Sequence, residues 1–142
     1  MAGSLLRQVP AVLRHPWGPI AAHYSHRRRR GSMDAMIRDT FRYLPISPRT
    51  RSWGLFVTGG GHIEIPPHGT HPPQGHPHLY EFTWDRGRVL PEYQVILLTA
   101  GAGVFQSDGT ELCDLHAGEV VLLFPGVWHR YRPRPDTGWT SY

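Results

Sequence analysis

From about residue 46 onward the chain alternates short β-prone runs with turn clusters. The runs are 53–58, 62–65, 79–84, 92–99, 103–106, 111–115, 119–124, 127–132 and 138–142. Gly59-Gly60-Gly61, Asp85-Arg86-Gly87, Ala100-Gly101-Ala102-Gly103, Asp108-Gly109, Ala117-Gly118 and Pro125-Gly126 punctuate them. Asp108-Gly109 is the strongest turn signal, because both residues tolerate positive φ, and it predicts a hairpin joining 103–106 to 111–115. Many short strands at this spacing predict an all-β sandwich or barrel. Before them, 34–45 reads as a short helix or an arm that ends at Pro45. The stretch 66–77, PPHGTHPPQGHP, reads as an extended loop, since proline cannot donate to a sheet ladder. Its histidines are either incidental to a Pro-rich linker or capture a ligand or metal.

With 142 residues, 39% of them hydrophobic, the chain is sized for one globular core, and no run approaches the ~20 apolar residues of a membrane span. The formal charge of +4 suggests nucleic acid until it is divided. Residues 1–33 hold six of the fifteen arginines and no acid, while 34–142 hold nine arginines against eleven acids, a charge of −2. The folded part is therefore not a basic DNA-binding module. The leader, 1–33, reads as a disordered basic tail or as an over-extended reading frame with translation starting at Met33 or Met36. A transit peptide or an Arg-led export signal fits less well, because no apolar run follows Arg30. Cys113, the single cysteine, cannot form an internal disulfide, which is compatible with a reducing cytosol, and reads as a small buried hydrophobe.

The stretch from Gly118 to His129, with Phe124-Pro125-Gly126 inside it, resembles the second motif of the cupin barrels, although Pro125 lies one place late. In enzymatic cupins the motif histidine binds a metal together with two His and a Glu from an earlier strand. Counted back from Gly101, those positions fall on Gln94, Gly87 and Val89, so three of the four ligands are missing. A lone His129 cannot define a catalytic metal geometry. A small stand-alone cupin enzyme, with metal on His76, His78 and His129, is the alternative.

A closer resemblance covers roughly 41–142. LLFPGVWHRYRPRPDTGW together with WDRGRVLPEYQVILLTAGAGVFQ is similar to the sensor half of AraC-type transcription regulators. The resemblance implies a cupin-like double-stranded β-helix, a jelly-roll barrel, spanning 46–142. It also implies a small-molecule ligand, a pentose or other sugar, homodimerisation, and a bacterial cytoplasmic setting. Transcription control would require a helix-turn-helix domain for which this sequence has no room, so the chain alone is expected to bind no DNA. Asp85, Arg86 and Tyr93 match the arabinose-responsive pattern, which makes Arg86 the leading ligand contact, with Tyr131 a second. The contacting His of that pattern falls near Ser141, a departure that sets arabinose itself aside.

Sugar recognition uses guanidinium donors and flat aromatic faces, and Arg86, Arg88, Trp84, Trp128, Tyr131, His129 and Trp139 supply those types. Strand alternation places His129 and Tyr131 on one face and Trp128 on the other. For Arg86 and Arg88 a solvated turn is an equal reading, and for the tryptophans core packing is. No nucleophile motif, phosphate loop or paired carboxylates accompany them, so neither an enzyme nor a cofactor is expected.

Overall fold

The computed structural model describes residues 11–13, 40–73 and 77–142. In chain order the elements are β1 (Ala11–Leu13), β2 (Thr40–Tyr43), α1 (Pro48–Arg51), β3 (Gly59–Ile65), a 3-10 turn (His78–Tyr80), β4 (Arg88–Val89), β5 (Gln94–Ser107), β6 (Thr110–His116), β7 (Val120–Leu123), β8 (Trp128–Pro133) and β9 (Trp139–Ser141). All strand pairs are antiparallel.

One strand organises the rest. The first half of β5 lies between β7 and β9, continuing through β3 to β2, and its second half lies between β6 and β8, continuing to β4. A single strand serving two sheets curls the whole into a cupin-like barrel. Its inward side chains are Ile96 and Leu98 in the first half but Phe105 and Ser107 in the second, so the parity of the alternation changes midway. A bulge makes that change: Leu98 pairs with Ser141 and Ala100 with Thr140, leaving Thr99 as the extra residue. The sequence 100–103, expected to be a turn between two strands, is instead this bend inside one continuous strand.

The core is Ile65, Phe82, Ile96, Leu98, Phe105, Leu115, Val121, Leu123, Tyr131 and Trp139. Full burial of each aliphatic or aromatic side chain contributes about 1.5–3 kcal/mol. Strands cross closely where glycine allows it. At Gly101, φ is +75° and a Cβ would come 2.2 Å from the Gly138 carbonyl oxygen. The same logic corrects Gly59-Gly60-Gly61, which lies within β3 rather than in a turn. Tyr43 and Phe41 pair with Gly59 and Gly61, and a Cβ at Gly61 would stand 2.6 Å from the Phe41 ring.

The Asp108-Gly109 hairpin forms as expected, with Ser107 paired to Thr110. Two expected strands do not. The run 53–58 follows α1, which is capped by Ser47, whose Oγ accepts from Thr50 N at 3.1 Å. Gly54 at φ +78° then turns the chain, and Leu55 and Val57 stay exposed. The run 79–84 gives a 3-10 turn and a stretch that sends Phe82 into the core. In the segment 34–45 the described part is extended: Thr40–Tyr43 is a strand on β3, an arm rather than a helix. In the leader, Ala11–Leu13 pairs with β7, and the rest of 1–33, expected to be disordered, lies outside the described residues. The edge of β7 away from β5 offers the backbone groups they bond.

Gly101→Ala should lower stability by about 3 kcal/mol, combining left-handed strain with a backbone clash. Gly126→Ala, with φ +75° but nothing within 4 Å of the new methyl, should cost about 1 kcal/mol. Urea midpoints of the two variants check this; equal losses would remove the strand crossing as the cause.

Candidate functional site

A cavity of about 470 Å³ opens inside the barrel, within the usual range for small-molecule sites. Its walls include Phe41 and Tyr43 of β2, Tyr80, Arg88, Gln94, Tyr131 and Trp139. A second hollow of about 340 Å³, walled by Trp84, Arg132 and Arg134, lies beyond a partition of His71, Pro72, Phe82 and Tyr131 that borders both spaces.

Arg88 is the organising side chain. Its two-residue strand β4 pairs with β8, register Arg88 to His129. Arg88 is almost completely buried, at 9% exposure. Its Nε donates to His129 Nε2 at 3.1 Å, Nη1 to the Tyr80 carbonyl at 2.7 Å, and Nη2 to Gln94 Oε1 at 2.9 Å and Tyr131 Oη at 2.6 Å. Phe82 lies 4.7 Å from the guanidinium carbon, ring centroid to Cζ, adding a cation–π contact. The nearby carboxylate, Glu92, is bound elsewhere: it accepts from the Tyr80 hydroxyl and, at 2.6 Å, from Thr58 Oγ1.

His129 is fully buried and neutral. Nδ1 donates to the Val127 carbonyl at 3.1 Å while Nε2 accepts from Arg88, which together settle the tautomer. Burial pushes its pKa down to about 4 and the Arg88 charge helps, against the Val127 carbonyl, which favours the protonated ring. The Tyr131 hydroxyl is pushed up by burial, opposed by Arg88. Tyr80 is pushed up to about 12, by burial first and then by its bond to Glu92. Arg88 is the one arginine and Glu92 the one acidic side chain among the described residues of the cavity wall.

The structure brings Arg88, His129, Tyr131 and Trp139 together, as the spacing of β8 predicts for the middle pair, whose rings are parallel within 2°. It does not bring in Arg86 or Trp84. Arg86 is exposed and borders neither cavity, because Gly87 at φ +60° breaks the alternation that would have put it beside Arg88. Trp128 packs outside over Gly87, and its Nε1 donates to the Arg86 carbonyl at 2.8 Å. Trp84 lies between Arg130 and Arg132, with Cζ to ring centroid distances of 4.3 and 4.1 Å.

For the metal alternative, His78 is exposed, His76 lies outside the described residues, and the His129 Nε2 lone pair is occupied by Arg88. Among the described residues no three His, Cys, Asp or Glu side chains come together as a metal site. Cys113 is half-buried against the core. Sequence reasoning missed Tyr80 and Phe82, which no motif marks, whereas His71 belongs to the 66–77 loop whose histidines are candidates for ligand or metal capture. The sequence did reach Gln94, as a cupin ligand position carrying an amide, and that position does face the buried cation.

A barrel with an internal cavity, polar at one end and largely apolar elsewhere, defines a small-molecule-binding domain. Residues 75–142 match the AraC-like ligand binding domain family. The match points to a regulatory role rather than a catalytic one. No curated protein matches the chain. Among the described residues no helix is long and apolar enough to cross a membrane.

The His129 shift sets a pH dependence. As pH falls below 6.5 the unfolded chain takes up this proton and the folded one does not until about 4. Stability contributed by the neutral ring is therefore complete above 6.5 and lost progressively down to about 4, by about 3 kcal/mol. Urea unfolding across this window should show a slope in the wild type that His129→Gln reduces; parallel slopes in the two proteins would contradict it.

Proposed function

We propose that this chain is the ligand-sensing part of a transcription regulator, its small molecule seated in the 470 Å³ cavity against Arg88, Tyr131 and Trp139. The observation that carries the reading is the buried guanidinium on the wall of an otherwise largely apolar cavity, a few fixed polar groups orienting a ligand that apolar walls enclose. A sugar is the ligand class the resemblance suggests, and the aromatic faces of Tyr131 and Trp139 beside Arg88 support it. Arg86, Trp84 and His129, none of which borders this cavity, drop out of that contact set. Dimerisation and control of transcription through a helix-turn-helix domain belong to the same proposal, as does a cytoplasmic setting.

Signalling would work by population shift, the ligand favouring one arrangement of arm and barrel over another. Phe41 and Tyr43 support this, because they place the described end of the 34–45 segment in the cavity wall itself. Occupancy there changes what the arm packs against.

A thermal-shift panel of pentoses, hexoses and small organic acids tests the reading. A true ligand at about 100 times its Kd should add about 2.7 kcal/mol and raise the melting temperature by several degrees. A cooperative melt that no class of compound moves would count against a sensor.

A further inference from the structure

We propose that the cavity takes an organic acid, its carboxylate at Arg88 and Tyr131 and its apolar body among Phe41, Ile63 and Trp139. The inference rests on the cavity being the ligand site and names the class of ligand. Charge is the first argument. Arg88 is a buried permanent cation, and among the described residues no carboxylate lies within ion-pair distance of it. Its acceptors are all neutral: an imidazole nitrogen, a backbone carbonyl, an amide oxygen and a phenol. A buried charge left without a counter-ion is costly, and an anion arriving in the cavity recovers that cost.

Proton counting is the second argument. A guanidinium has five N–H groups, and the contacts above use four of them. Tyr131 Oη accepts from Arg88, while its own proton has no acceptor among the described residues. The amide N–H groups of Gln94 are in the same position, its oxygen being taken by Arg88. Trp139 Nε1 is buried with no partner among the described residues. Around Arg88 the open valences of Tyr131 and Gln94 are therefore donors, and the acceptors there are used.

A carboxylate is acceptor-only and matches that set. A sugar hydroxyl brings a proton of its own with each oxygen, and the one acid among the described residues of the wall, Glu92, already receives Tyr80 and Thr58 on its two oxygens. The apolar remainder of the wall suits a hydrocarbon body, and the cavity of about 470 Å³ lies in the range of small-molecule sites. That is the scale of a medium aryl or alkyl acid.

Isothermal titration of the 142-residue chain with matched pairs tests this: 3-phenylpropanoate against 3-phenylpropanamide, octanoate against octanamide, with L-arabinose and D-xylose alongside. At least one acid should bind about tenfold or more tighter than its amide, as hydrogen bonds to charged groups require. Gln94→Glu places a carboxylate beside Arg88 and should abolish the acid preference while the protein stays folded. Equal binding of acid and amide, or an acid preference untouched by Gln94→Glu, overturns the proposal. Binding of a sugar with no acid bound overturns it too but leaves the sensor reading standing. Silence of all six compounds also overturns it, and the wider thermal-shift panel then judges the sensor reading separately.

Discussion

A guanidinium held away from water is the constraint on which this barrel turns. Arg88 reaches from β4 to Gln94 on β5, to His129 and Tyr131 on β8 and to the carbonyl of Tyr80 in the 3-10 turn, so one cation ties together four separate stretches of chain. Each acceptor is polar and none is charged, which keeps the cation solvated by the protein without neutralising it. Two of them, Gln94 and His129, fall at the positions the cupin motif assigns to metal ligands. The fixed positive charge at this end of the barrel is thus organic, supplied by the chain.

That arrangement depends on β5 bending without breaking. The bulge at Thr99 changes which residues face inward, so Gln94, Ile96 and Leu98 line one half while Phe105 and Ser107 line the other. The glycine contact of Gly101 with Gly138 brings β9 close enough to set Trp139 against Tyr131, with ring centroids 5.8 Å apart. Cavity and core are consequently one continuous packing: Tyr131, Phe82 and Trp139 belong to both. A ligand that moves any of them acts directly on the residues that stabilise the fold, which is the physical requirement for a sensor whose occupancy must be felt elsewhere.

Much of this was legible in the residues. Alternation along 127–132 placed His129 and Tyr131 inside and Trp128 outside, because a strand's period of two leaves no other choice once one residue is assigned. Asp108-Gly109 marked its hairpin, since positive φ is a local property. Less local features were misread. Gly59-Gly60-Gly61 and Ala100-Gly101-Ala102-Gly103 look like turns, yet both lie in strands, where glycine makes room for Phe41 and for the Gly138 backbone. Trp53 to Thr58 has strand composition and lacks a strand to pair with among the described residues; composition cannot reveal whether an edge is available.

Taken alone, the sequence determined the all-β class, the barrel motif, the inward face of β8 and the resemblance to AraC-type sensor domains, because strand period, turn chemistry and motif spacing are properties of neighbours along the chain. Tertiary structure decided which arginine enters the cavity. Arg86 and Arg88 are equivalent by type and spacing, and only the left-handed Gly87 with Trp128 packed over it turns one outward and buries the other. It also decided that His129 accepts a hydrogen bond from Arg88, since a lone pair's partner forty-one residues away in sequence is set by how strands meet in space.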